Sequence, residues 1–266
     1  MKIFVCVKQV PDTTGKVTVK KDGTIDRRAM AAIVNPDDLH AAEAALRIKE
    51  SAGAQVIAVT MGPDAAVQML HELTAMGVDK TVLISAKELG GSDTFGTSQT
   101  LAAVIAKIGV EPGDMILCGQ QAIDGDTAQV GPQLAEKLGL PQVTNVVGLR
   151  LDKGCVLCEK RTEAEDLLIR VKTPCVLMCR KELNTPRYMT VRGILHCDDA
   201  PMLRYDYAAL KELPMFDADV VGLQNAPTTI LTAYAPPKKA AGEFLSGGSR
   251  EMAQQLCARL REEQGI

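Results

Sequence analysis

An α/β fold, a Rossmann-like parallel sheet with helices on both faces, is predicted by three observations. Short β-branched runs alternate with longer helical ones from the start to about residue 145. The strand runs are continuously apolar, as in a sheet buried on both sides. Capping residues, Gly or Pro mark most of the switches. Alternation of this kind builds right-handed βαβ units, and ligands then bind beyond the carboxyl ends of the strands.

Strands are expected at Ile3 to Val7, Val56 to Thr60, Val82 to Ser85 and Met115 to Cys118. The first helix follows Asn35-Pro36, an N-cap with Pro at the first helical position, and runs to Gly53. A second starts after Gly62-Pro63 and ends near Gly77, with Val67, Leu70 and Leu73 on one face. A third starts near Ser92-Asp93-Thr94 and stops at Gly109. The strand-end loops are therefore Lys8 to Pro11, Met61 to Pro63, Ser85 to Thr94 and Gly119 to Thr127.

Beyond residue 145 the texture changes. Segments 146–151, 155–160 and 167–172 read as a small β meander, and Cys175 to Cys179 as another buried strand. From about residue 200 prolines interrupt the pattern, Thr228 to Ala235 is a further candidate strand, and Ser249 to Glu263 forms a final helix. The expected organisation is an α/β domain over residues 1–200 and a C-terminal extension over 201–266, which either lies along another surface or packs as an ordinary extension.

Composition excludes several roles. No uninterrupted apolar run exceeds six residues in the 266, so no membrane span is expected. The net charge of −3, four Phe, four Tyr and no Trp give no basic stripe with stacking aromatics, so no nucleic acid is expected as a partner. Lys2 and five apolar residues make too short a signal core, and eight Cys without a secretion signal read as reduced thiols, which points to a cytoplasmic location.

The densest polar constellation is Gly119 to Pro132, directly after a strand. Asp126 with Gln129 has capping-box spacing and Asp124-Gly125 is a turn dipeptide, so a tight loop and a helix start are expected there. Exposed helix N–H groups favour an anion such as pyrophosphate, although a capped helix that binds nothing has the same signature. Pro132 lies inside the helix if it begins at Thr127, which breaks a local rule and argues for function. The carboxylates of Asp124 and Asp126 suit fixing the loop or binding hydroxyls better than facing phosphate. No Walker loop and no Gly-rich dinucleotide turn follows the first strand.

Cys155 and Cys158 have a two-residue spacing, but residues three apart in a strand point to opposite faces, so buried thiols are expected and no metal. His40, His71 and His196 are isolated, and no Ser, His and acid grouping supports hydrolysis. The residues themselves support a nucleotide-binding protein, and leave open an enzyme with a side-chain catalyst or a carrier that lends its cofactor to partners.

Val5 to Asp12, Val34 to Asp38, Gly119 to Pro132, Lys172-Thr173-Pro174 and Glu182 to Tyr188, with Gly247-Gly248-Ser249 before a helix, resemble the beta subunit of electron-transfer flavoproteins over almost the whole chain. The resemblance implies an adenine-nucleotide-hydrolase-like fold. It also implies a heterodimer whose alpha subunit carries one FAD, while the beta subunit holds AMP or a second FAD. The AMP form passes electrons from acyl-CoA dehydrogenases. In the two-FAD form NADH reduces the beta flavin, one electron goes to ferredoxin or flavodoxin, and the other goes through the alpha flavin to an acyl-CoA dehydrogenase or enoyl-CoA reductase. The residues Asp124 to Pro132 and Asn35 to Asp38 resemble this bifurcating version.

Carried over by position, the cofactor contacts are Cys6, Asn35, Pro36, Asp37, Asp38, Met61, Gly119, Gln121, Asp124, Gly125, Asp126, Thr127, Ala128, Gln129 and Val130. Thr94 and Thr97 lie where only the longer FAD reaches. The small residues Gly125, Ala128 and Gly131 are expected to leave room for it. Val191 falls at the family's partner-docking position, in a segment, Val191 to Asp199, that replaces the Lys-rich stretch of respiratory members. The implied role is flavin redox chemistry with no catalytic side chain.

Overall fold

The computed structural model describes residues 1–12, 31–228 and 242–264. The chain begins with β1 (Lys2–Cys6), β2 (Gln9–Pro11) and β3 (Ala32–Val34), followed by α1 (Pro36–Ala52), β4 (Gln55–Met61) and α2 (Val67–Met76). Next come β5 (Lys80–Ile84), α3 (Thr94–Ile108), β6 (Met115–Gly119) and α4 (Val130–Leu138). The strands β7 (Gln142–Asp152), β8 (Cys155–Arg161), β9 (Asp166–Lys172) and β10 (Cys175–Cys179) follow, then α5 (Val191–Leu195), β11 (Met202–Tyr205), α6 (Tyr207–Lys211) and α7 (Ser249–Gln264).

Among the described residues one nine-stranded sheet runs in the order β11-β5-β4-β1-β6-β10-β7-β8-β9. Its strands are parallel from β11 to β7, and the β8 and β9 meander closes it antiparallel. The alternation within β1 assigns the two faces. Ile3, Val5 and Val7 pack with Ala41, Ala45 and Leu46 of α1 and with Leu70 and Leu73 of α2. Phe4 and Cys6 point the other way, to Leu101, Val104 and Ile105 of α3 and to Leu134 of α4. Each such fully buried large side chain stabilises the fold by about 1.5–3 kcal/mol, so the expected helix-covered parallel sheet is the one that forms.

The thiols of Cys155, Cys158, Cys175 and Cys179 are free and buried. Burial pushes the Cys158 thiol up to about 11 and the Cys175 thiol to about 12, which leaves both protonated at neutral pH.

Two features differ from the sequence reading. Part of the loop Lys8 to Pro11 is the strand β2, paired antiparallel with β3; three-residue strands are too short to show a period. The break expected at residue 200 is not a break in packing, because β11 hydrogen-bonds in register beside β5 and Leu210, Leu213 and Val221 are buried under the α3 face. One compact unit spans Met1–Ile230 and a second Leu231–Ile266. The described part of the second unit carries α7, whose Leu256 and Leu260 are exposed. The candidate strand at 228–235 falls, apart from Thr228, outside the described residues. No helix among them is long and apolar enough to cross a membrane.

Candidate cofactor-binding site

Four strands, β1, β4, β5 and β6, end at the same edge of the sheet, and a cavity of about 930 Å³ opens there. Its walls come from the strand-end loops: Lys8 after β1, Met61 to Asp64 after β4, Ser85 to Thr94 after β5 and Gly119 onward after β6. Its size lies at the upper end of ligand pockets, roughly 300–1,000 Å³.

Of the expected contact residues, Cys6, Asp38, Met61, Thr94, Thr97, Gly119, Gln121, Gly125, Asp126, Thr127, Ala128, Gln129 and Val130 line this cavity. Asn35, Pro36, Asp37 and Asp124 do not line it. Three of these four support the wall from behind. Asn35 is fully buried; its Nδ2 donates to the carbonyl of Gln121 (2.8 Å) and its Oδ1 accepts from the N–H of Ile123 (3.1 Å). For that reason it makes no side-chain cap on α1, contrary to the capping role its place before Pro36 suggests. Asp37 accepts from the Gln121 backbone, and burial raises its carboxyl above the usual range. Asp124 takes an ion pair from Lys8 Nζ at 2.7 Å.

Asp38 closes the floor. One carboxylate oxygen accepts from the N–H of Lys8 (2.8 Å) and the other from the N–H of Gly119 (3.1 Å), tying the ends of β1 and β6 to the start of α1. Burial pushes its carboxyl up to about 7, against the pull of those donors. Gly119 sits so close that a Cβ there would lie 2.4 Å from Asp38 Oδ1 and 2.7 Å from the Asp37 carbonyl carbon.

The loop from Gly119 into α4 differs from the capping-box reading. Asp126 and Ala128 adopt left-handed backbone, with φ of 50° and 52°, and α4 begins only at Val130 with Gln129 before it. The Asp126 side chain accepts from Gln121 Nε2 at 2.9 Å instead of capping. Pro132 is thus in the first turn, where an N–H has no intrahelical partner, and it breaks no rule. Gly131 is also not spare room, because a Cβ there would lie 2.6 Å from Met178 Cγ; it lets α4 approach β10.

The delayed helix start has a chemical consequence. The N–H groups of Thr127, Ala128 and Gln129 have no hydrogen-bond partner among the described residues. Left-handed Ala128 followed by right-handed Gln129 is the backbone alternation that turns successive N–H groups toward one anion. Across from them Asp93 caps α3 by accepting from Gly96 N (3.0 Å), and the Thr94 hydroxyl donates to Gln129 Oε1 (3.0 Å), joining α3 to the loop.

Sequence reasoning named the loop Ser85 to Thr94 but missed Ala86, Leu89, Gly90, Gly91 and Ser92 as wall residues, and Lys8 as the cation beside Asp124. Their strand-end position was the available signal. Val191 lies apart from the cavity, at the start of α5 and 77% exposed, beside exposed Tyr188, Ile194 and Leu195.

Comparison with known proteins agrees with this architecture. Residues 22–209 match the electron transfer flavoprotein domain. The chain is 51% identical to the acryloyl-CoA reductase electron transfer subunit gamma of Anaerotignum propionicum, over 100% of both chains. It is 43% identical to the caffeyl-CoA reductase-Etf complex subunit CarD of Acetobacterium woodii, over 99% of both. It is 40% identical to the electron transfer flavoprotein subunit beta of Clostridium acetobutylicum, again over 100% of both. The chain belongs to the electron transfer flavoprotein family, as a subunit of the beta type.

Proposed function

We propose that this chain is the beta subunit of a bifurcating electron-transfer flavoprotein that holds a FAD in the strand-end cavity. In this reading NADH gives up a hydride, one electron goes to ferredoxin or flavodoxin, and the other goes through the FAD of the alpha subunit to an acyl-CoA dehydrogenase or enoyl-CoA reductase. The observation that carries the reading is the run of N–H groups at 127–129, without hydrogen-bond partners among the described residues, in the wall of a cavity that Thr94, Thr97 and Gly90 to Ser92 also line. Relatives named for acryloyl-CoA and caffeyl-CoA reductase complexes support the acceptor class.

The residues fit a dinucleotide. The backbone at 127–129 supplies fixed donors for a pyrophosphate, and the Thr94 and Thr97 hydroxyls stand where a polyol chain would continue. Lys8 neutralises Asp124, and Gln121 engages Asp126, so the two loop carboxylates do not confront a phosphate unpaired. A flavin supplies hydride acceptance and one-electron transfer when bound, and the chain supplies position and electrostatics. The C-terminal extension, residues 201–266, is proposed to contact the alpha subunit, and Val191 to dock the dehydrogenase or reductase.

The test is to purify the chain with its alpha partner, release the ligands by heat and count them by chromatography. Two FAD and essentially no AMP per heterodimer is the expected result, with NADH bleaching the beta flavin. One FAD and one AMP would overturn the bifurcating reading and favour the alternative, a beta subunit holding AMP.

A further inference from the structure

The segment after α5 folds back on α2. The N–H of Thr190 donates to the carbonyl of Ala75 (3.2 Å), and the Thr190 hydroxyl caps α5 by accepting from Gly193 N (2.9 Å). The short turn Cys197–Asp199 is thereby laid against α2, beside His71. His71 Nδ1 stands 3.1 Å from Asp198 Oδ1, and Cys197 Sγ stands 3.8 Å from that same oxygen. One ligand atom from each of the three residues falls within 4.8 Å of the other two. The neighbouring His196 and Asp199 are taken up with each other at 3.0 Å.

Without an ion, His71 pairs with Asp198 and the thiol donates to the Ile194 carbonyl at 3.3 Å. A metal ion joins all three side chains in one site. Tetrahedral zinc, with bonds of roughly 2.0–2.1 Å to N and O and 2.3 Å to S, holds its N and O ligands roughly 3.3 Å apart and its S and O ligands roughly 3.5 Å apart. The observed separations of 3.1 and 3.8 Å are within a few tenths of those values. One imidazole, one thiolate and one carboxylate form a donor set suited to zinc and too soft for magnesium or calcium.

The geometry points to a divalent transition-metal site, zinc by preference, formed by His71, Cys197 and Asp198, with water in the fourth position. Binding exchanges the Cys197 S–H for an S–metal bond and releases the proton to solvent. The thiol gives up its contact to the Ile194 carbonyl (3.3 Å) in the process. Because His71 belongs to α2 and the other two ligands to the turn after α5, the ion pins that turn to the body of the unit. The site does not depend on the proposed function, and metal binding reports on it directly.

Cobalt tests it on the full chain after chelator treatment. One equivalent of Co²⁺ should give a thiolate-to-metal absorption band with tetrahedral visible bands, and Zn²⁺ should displace it. Cys197→Ser should abolish the thiolate band. Asp198→Asn, at an exposed position where folding is not at stake, should weaken binding at least roughly tenfold. Cys257→Ser, at the exposed cysteine of α7, should change nothing. Zinc should also slow amide exchange at residues 196–199. No band at one equivalent, or a band that survives Cys197→Ser, would overturn the site; unchanged exchange on binding would overturn the clamp.

Discussion

The loop from Gly119 to Val130 and the segment from Tyr188 to Leu195 are both exposed connections at the edge of the same compact unit, yet they are built in opposite ways. The first is held by two buried polar side chains, Asn35 on Gln121 and Ile123 and Asp38 on Gly119, and by an exposed bond from Gln121 to Asp126. The second turns apolar side chains outward, with Val191 77% and Leu195 75% exposed, and is fixed by backbone contacts to α2. A loop that must present N–H groups at fixed positions needs each of its other polar atoms engaged elsewhere, because an unsatisfied buried group costs about 1–3 kcal/mol. A surface that must meet another protein needs only a stable platform and open apolar contacts. On the proposed function, mutations should therefore act on stability and ligand together in the first loop, and on partner transfer alone in the second.

The largest effect is expected at Gly119. In Gly119→Ala the new methyl meets Asp38 Oδ1 and the Asp37 backbone, and backbone cannot swing away as a side chain tip does. Overpacking of this kind costs about 3 kcal/mol, and it displaces the carboxylate that joins β1 to β6. Urea denaturation should show that loss, and the purified variant should have lost bound nucleotide. A variant with wild-type stability and ligand content would break the contrast between the two regions.

Asn35→Ala comes next. It leaves the Gln121 carbonyl and the Ile123 N–H, at partly buried residues, without the partner that the fully buried Asn35 side chain supplies, at a cost of about 1–2 kcal/mol. The loop wall should loosen as well, seen as faster amide exchange over 121–129. If Asn35 were a helix cap, exchange would quicken in the first turn of α1 instead.

These two residues show what was legible in the sequence. The helix-covered parallel sheet and the four strand-end loops followed from periodicity, because continuous apolar strands and capped helices leave a pattern at short range; the strand order, set by tertiary pairing, did not. Asp93 acts as the cap it resembles, accepting from Gly96 N. Asn35 has the same local signature, but its side chain is used by residues 86 and 88 positions away, and no local pattern records that. The start of α4 was misplaced for a related reason: left-handed backbone at Asp126 and Ala128 overrides the capping-box spacing. The strand β11 was missed because an edge strand of four residues beside Pro201 carries no period, and its pairing with β5 is wholly tertiary.

A smaller effect should appear as a pH dependence. The folded Asp38 carboxyl takes up its proton near pH 7, an unfolded one near pH 4. Between those values the folded state binds more protons, so this group's contribution to stability is present in full below about pH 4 and is lost as pH rises through about 7. Comparing wild type with Asp38→Asn isolates it from the other titrating groups. The unfolding free energy of wild type minus that of Asp38→Asn should fall by on the order of 1 kcal/mol per pH unit from pH 5 to 7. A difference that stays constant with pH would mean that Asp38 is ionised throughout, held by the N–H groups of Lys8 and Gly119.

The smallest effect on stability, and the sharpest separation of the two regions, is expected at Val191. Its side chain is mostly in water, so Val191→Ala removes little buried area and should leave the unfolding free energy within about 0.5 kcal/mol of wild type. The backbone platform does not change, because the bonds from Thr190 to Ala75 and from Gly193 to Thr190 involve neither of the lost methyl groups. An apolar anchor at a protein interface loses about 1 kcal/mol on truncation, roughly fivefold in affinity. On the proposed function, electron transfer to the acyl-CoA dehydrogenase or reductase should accordingly need roughly fivefold more partner for half-maximal rate, while NADH oxidation keeps its wild-type rate. Loss of both rates in parallel would mean that the segment reports on the cavity after all, and the division between a polar, preorganised loop and an apolar, outward one would fail.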